Sequence, residues 1–170
     1  MVLLHRFTPD LLVDSIYDIP LDQLRKKGIK GIMFDLDNTL TKYHGPIVGE
    51  EIYEWFASLP DNGIAACLVS NSHKARVRLI ADDLHIPFVY DARKPMRSGF
   101  SRALSLLGLR PSQIAMVGDQ IFTDVLGGNR VGVYTILVKP ISPEEMWGTR
   151  HISRRGERMI WRFIRKDLEK

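Results

Sequence analysis

Four apolar runs in this chain each stop at a cluster of small polar or charged residues, with helically spaced segments between them. Ile29 and Ile32 to Phe34 lead into Asp35-Leu-Asp37-Asn38-Thr39, and Ile64 to Val69 into Ser70-Asn71-Ser72. Pro87 to Tyr90 leads into Asp91-Ala-Arg-Lys94-Pro95, and Ile114 to Val117 into Gly118-Asp119-Gln120. Continuous apolar runs of this length fit strands buried on both faces, as in a parallel sheet. Between them, Glu50 to Leu59 spaces Ile52, Trp55, Phe56 and Leu59 along one helical face. Lys74 to Leu84 turns Ile80, Ala81 and Leu84 inward, and Met96 to Leu107 places Met96, Phe100, Ala103, Leu104 and Leu107 on one face before stopping at Gly108. A helix opening near Phe122 precedes Val131 to Val138, a fifth strand. The expected fold is α/β, three layers deep, with a parallel sheet of about five strands and helices on both faces.

The flanks are simpler. Thr8, Pro9 and Asp10 resemble an N-cap, a first-turn proline and a dipole-matched acid, which predicts a short helix over Leu11 to Val13. Pro20 to Lys27 predicts a second, stopped by Gly28. At 170 residues, with no linker-like run, the chain is expected to form one domain over 1–170. Its core would span about 29–138, with a helical extension over 1–28 and a basic helical tail over 142–170. Cys67 is the sole cysteine, which excludes an intrachain disulfide; it lies in a buried run and reads as core. No apolar segment is long enough for a signal peptide or a membrane span, so the expected compartment is the cytoplasm. A net charge of +4 favours anionic partners without choosing among them.

In a parallel sheet the strands' carboxyl ends share one edge, so Asp35, Asp37, Ser70, Asn71, Lys94, Asp119 and Asp124 can converge on a single crevice. Asp-x-Asp alone is equally a capped turn, and Asp124 alone a helix cap. Together, clustered carboxylates would repel one another unless a cation neutralised them, and an oxygen-only set suits Mg²⁺. The residue types suit phosphoryl transfer: Asp35 as nucleophile, Asp37 as acid and base, Lys94 offsetting charge, and the Ser70 hydroxyl holding phosphate oxygens. His44 and His73 flank these motifs and take no role in them.

These motifs, in this order, resemble the haloacid dehalogenase (HAD) superfamily of aspartate-nucleophile phosphatases over roughly Ile29 to Val138. The resemblance implies that Asp35 is nucleophile and metal ligand, and that Asp37 is general acid/base and a ligand through its backbone carbonyl. It implies that Asp119 completes a Mg²⁺ site supported by Asp124 and Thr39, and that Ser70, Asn71 and Lys94 bind the substrate phosphate. Members that pump ions carry no Asp two positions after the nucleophile, so Asp37 points to hydrolysis. Ser15-Ile-Tyr-Asp-Ile, Asp-Leu-Asp-Asn-Thr-Leu and Gly118-Asp-Gln-Ile-Phe-Thr-Asp124 look like the YqeG-type branch of subfamily IIIA, related to phosphatidylglycerophosphate phosphatases.

In this superfamily, selectivity resides largely in inserted cap domains. Thirty residues separate Thr39 from Ser70 and 23 separate Ser70 from Lys94, and predicted elements fill both intervals, so no cap is expected. An open crevice admits phosphate groups on large or membrane-bound molecules. From Arg150 to Lys170 eight basic residues face three acidic ones, a local balance of +5, and Ile160, Phe163, Ile164 and Leu168 follow helical spacing. That suits an interfacial helix on anionic lipid at the inner face of a membrane, and equally a helix packed on the body. The expected substrate is therefore a phosphorylated molecule, foremost a membrane phospholipid. A phosphatase for phosphorylated nucleic acid or protein, and a nucleic-acid or ribosome binder on the same scaffold, rank below it.

Overall fold

The computed structural model describes residues 4–42, 45 and 49–142. His44 and the tail from 143 onward lie outside these, so the expected basic helix is not part of the description. Six parallel strands form one sheet in the order β1-β6-β5-β2-β3-β4. They are β1 Leu11–Val13, β2 Gly31–Phe34, β3 Ala65–Val69, β4 Phe88–Val89, β5 Ile114–Gly118 and β6 Tyr134–Val138. The helices are α1 Leu21–Lys26, α2 Glu51–Ser58, α3 Lys74–Leu84, α4 Arg97–Leu107 and α5 Leu126–Val131.

The period of two along each strand divides the core into two layers. Ile32, Phe34, Ala66, Leu68, Ala115 and Val117 pack on one face with Ile52 and Phe56 of α2 and Val77, Ile80 and Ala81 of α3. Met33, Cys67, Val69, Ile114 and Met116 pack on the other with Phe100 and Ala103 of α4. Phe34 anchors the first layer, its ring 4.9 Å from Phe56 and 5.8 Å from Trp55. Ile16, Ile19 and Leu24 of the N-terminal extension join the same layer.

Leu11–Val13 corrects one expectation: it is a sixth, edge strand and not a helix. The acid that looked like a first-turn residue is used in the sheet. Asp10 donates its N–H to the Thr135 carbonyl at 2.9 Å, and its carboxylate accepts from Thr135 N at 2.7 Å and Thr135 Oγ1 at 3.0 Å. Local capping signals over so short a run gave way to pairing with β6.

The chain proceeds from β2 outward through β3 to β4, then crosses back to β5 on the other side of β2. That reversal leaves a crevice between the carboxyl ends of β2 and β5, where open α/β sheets place their ligands. Asp35 and Asp119 occupy it.

Candidate active site

The first loop is held tightly. Asp35 N donates to the Val117 carbonyl at 2.8 Å, continuing the β2–β5 ladder for one residue beyond the strand. Asn38 then takes a left-handed conformation (φ 64°), which Asn tolerates, and its N–H meets the Thr41 carbonyl at 2.7 Å. The turn buries Asp35, Asn38 and Thr39.

The ends of β3 and β4 are fastened to each other. Ala92 N donates to the Ser70 carbonyl at 2.9 Å, and Asp91 N to the Ser72 carbonyl at 3.1 Å. Asn71 grips the main chain of Lys94, accepting from Lys94 N at Oδ1 (2.7 Å) and donating from Nδ2 to Lys94 O (3.2 Å). Lys94 is thereby carried into the crevice, where its Nζ lies 2.5 Å from Asp35 Oδ1 and 2.6 Å from Asp124 Oδ1.

Beyond β5, residues Ile121–Val125 form a π-helical turn that runs into α5. Such turns recur at functional sites, and this one directs Asp124 back toward β5. There Asp124 Oδ2 accepts from Gln120 N at 3.1 Å. A Cβ on Gly118 would overlap this carboxylate, so glycine is the residue that lets Asp124 approach.

One oxygen from each of Asp35, Asp119 and Asp124 lies within 4.8 Å of the others, and all three residues are buried. Burial pushes the Asp35 carboxyl up to about 7, against the pull of Lys94 and with Asp124 adding to the rise. Burial, then Asp35 and Asp124, push Asp119 up to about 8. Burial alone would lower the Lys94 ammonium, but Asp124 and Asp35 reverse this and hold it well above the ordinary lysine range. Three carboxylates and one ammonium leave two formal negative charges, the deficit a divalent cation would fill. Asp119 Oδ1 is buried with no hydrogen-bond partner among the described residues, and every donor atom in the group is oxygen. The residues present therefore fit a Mg²⁺-type ion.

The expected residues largely converge, with two differences. Asp124, expected in a supporting role, contributes an oxygen to the acidic group itself. Asn71, expected on the phosphate, has both amide atoms engaged with Lys94. Ser70 is buried at the end of β3 and accepts from Ser72 N at 3.1 Å, and the Thr39 hydroxyl is buried without a partner among the described residues.

Arg76 escaped the sequence. Its Nε and Nη2 reach Asp37 Oδ1 at 3.2 and 2.6 Å, and Ser72 Oγ donates to Asp37 Oδ2 at 2.6 Å. A signal was present: Lys74 and Arg76 open α3, where a cation opposes the helix dipole and calls for an acidic partner. His73, set aside as a bystander, caps that helix by accepting from Arg76 N at 3.4 Å.

Residues 91–140 match the HAD-hydrolase-like family, and residues 2–81 the mitochondrial PGP phosphatase family. The chain is 41% identical to a probable phosphatase, YqeG, of Bacillus subtilis (strain 168), over 94% of this chain and 92% of that one. It is 28% identical to the chloroplastic/mitochondrial phosphatidylglycerophosphate phosphatase 1 of Arabidopsis thaliana, over 95% of this chain but 49% of the relative, about half its length. Among solved structures, the cobalt-bound deoxy-D-mannose-octulosonate 8-phosphate phosphatase of Haemophilus influenzae superposes with a TM-score of 0.52 at 19% identity, covering 66% of this chain and 69% of that one. That likeness bears on the fold, which is the α/β arrangement described above. The strand-end motifs, their order and the relative that matches along nearly its whole length place this chain among the YqeG-type phosphatases of the HAD superfamily.

Proposed function

We propose that the protein hydrolyses a phosphomonoester through a phosphoryl group carried on Asp35, and that the ester is phosphatidylglycerophosphate at a membrane surface. The observation that supports the chemistry best is the position of Lys94, whose ammonium bridges Asp35 and Asp124 beside an acidic group short of positive charge. In this reading Asp35 Oδ attacks phosphorus as the ester P–O bond breaks, and Asp37 delivers a proton to the departing oxygen. Water then attacks the phosphorus of the acyl phosphate, yielding its proton to Asp37 and restoring the Asp35 carboxylate. Ser70 and Lys94 hold the phosphate oxygens, and Asn71 acts through Lys94. Asp35, Asp119 and the Asp37 carbonyl, with Asp124 beside them, would hold Mg²⁺. When bound, that ion would offset the charge of the transferring phosphoryl group.

The substrate class rests on similarity to phosphatidylglycerophosphate phosphatases and on the absence of an inserted domain among the described residues. Between Thr39 and Ser70 these comprise α2, one 3₁₀ turn and β3; between Ser70 and Lys94 they comprise α3 and β4. No helix of the described residues is long and apolar enough to cross a membrane, so access to a lipid would be from the surface. The basic segment from Arg150 to Lys170 would supply the contact, at about 1 kcal/mol per basic residue near an anionic leaflet. We take 1–170 as one catalytic unit, acting in the cytoplasm and at the membrane's inner face.

Phosphate release from vesicles containing phosphatidylglycerophosphate, against soluble nucleotide, sugar and nucleic-acid phosphates, tests this. The expected result is Mg²⁺-dependent release that is fastest from the vesicles. Efficient hydrolysis of a soluble ester with none from the vesicles would refute the lipid assignment.

A further inference from the structure

The guanidinium of Arg76 is an unusual neighbour for a group meant to carry a proton. Both side chains are mostly covered, Arg76 at 12% and Asp37 at 13% exposure, so their contact is shielded from solvent. Arg76 is a brace and not a free cation. Beyond its two bonds to Asp37 Oδ1, it donates from Nη2 to Thr41 Oγ1 at 3.0 Å and from Nη1 to the Gly45 carbonyl at 3.0 Å. The first turn of α3 is thus tied to the loop that follows Asp37, with the carboxylate clamped between them.

The two carboxylate oxygens consequently face different chemistry. A guanidinium donates and never accepts, so a proton on Oδ1 would meet two N–H groups head on. Oδ2 faces the Ser72 hydroxyl, which can donate to a carboxylate and can accept from a carboxylic acid. Of these two neighbours, the Ser72 hydroxyl at Oδ2 is the one compatible with both protonation states of the carboxyl.

We infer that Arg76 is a positioning residue for proton transfer: it fixes Asp37 by Oδ1 and confines the transferable proton to Oδ2. Ser72 holds that oxygen until the leaving group replaces it. In the forward step the Asp35 Oδ–P bond forms, the ester P–O bond breaks with its electron pair passing to the leaving oxygen, and the proton on Asp37 Oδ2 moves to that oxygen. Arg76 exchanges no proton. This inference rests on the assignment of Asp37 as general acid.

Leaving-group dependence separates this role from phosphate binding or simple folding. An alkoxide needs the proton as it departs, whereas 2,4-dinitrophenolate does not. The readout is kcat/KM with Mg²⁺ for an alkyl phosphate and for 2,4-dinitrophenyl phosphate, which covers the steps up to departure of the leaving group and excludes the later hydrolysis in which Asp37 acts as base. It would be measured for the wild type, Asp37→Asn, Arg76→Ala, Arg76→Lys and the Asp37→Asn/Arg76→Ala double variant. Asp37→Asn is expected to lose about 100-fold or more on the alkyl ester and less than about 10-fold on the dinitrophenyl ester. Arg76→Ala is expected to show the same split, Arg76→Lys a smaller one, and the double variant no further loss on the alkyl ester beyond Asp37→Asn. If Arg76→Ala does not fold, the split in Arg76→Lys decides. Equal losses on both esters, no loss, or additive losses in the double variant would overturn the role of Arg76 while leaving Asp37 intact. Absence of the split in Asp37→Asn itself would overturn the assignment of Asp37, and this inference with it.

Discussion

Asn71 holds Lys94 by its main chain at both ends of one peptide-like clasp, Oδ1 to Lys94 N at 2.7 Å and Nδ2 to Lys94 O at 3.2 Å. The clasp joins the end of β3 to the loop after β4, and through it the length of the Lys94 side chain reaches Asp35. Asn71→Ala would leave the Lys94 peptide groups without these partners and let the ammonium drift. The expected loss is about 10- to 100-fold in kcat, since displacements on the order of 1 Å carry costs of that size. Steady-state kinetics on any hydrolysed ester checks it, with stability lower by about 1–3 kcal/mol in urea unfolding.

Gly118 and Asp124 make a second paired requirement. Alanine at 118 would force its methyl group into the Asp124 carboxylate, which Gln120 N and Lys94 hold in place. Gly118→Ala is expected to destabilise the fold by about 1–3 kcal/mol and to weaken divalent metal binding. Unfolding with and without Mg²⁺ measures both effects, and the gain in stability conferred by Mg²⁺ should be smaller in the variant than in the wild type.

The acidic group sets a pH dependence with a definite sign. Burial raises the folded-state pKa of Asp119 from 3.8 to about 8, so the folded protein without metal prefers the protonated acid. The stability associated with this group is fully present below about pH 4 and is lost as pH rises toward about 8. In chelator, Asp119→Asn should therefore become progressively more stable than the wild type across that interval, and Mg²⁺ should reverse the order near pH 8. Thermal unfolding over a pH series with chelator or Mg²⁺ gives the comparison.

Strand ends were legible because a buried parallel strand must stop abruptly where polar chemistry begins, as Phe34-Asp35 and Val69-Ser70 do. The convergence of Asp35, Lys94 and Asp119 followed from topology alone, without side-chain geometry. Leu11–Val13 is not legible as a strand because three residues carry too little periodicity to distinguish helix from strand, and Asp10 serves a rung of β6 as readily as a helix N-terminus. Arg76 is invisible to motif spacing, since its partner lies 39 residues away, with α2 and β3 between them. The closeness of the Asp124 oxygen to those of Asp35 and Asp119 is not legible, because the π turn that aims it has no signature in the sequence.

In the proposed reaction Asp35 accepts the phosphoryl group. Acid quenching during turnover, followed by peptide mass spectrometry, tests it directly. One phosphoryl group is expected on the peptide containing Gly31 to Thr41, located at Asp35 and absent from an Asp35→Asn variant that no longer turns over. A phosphoryl group on another residue, or undiminished turnover by Asp35→Asn, would contradict it.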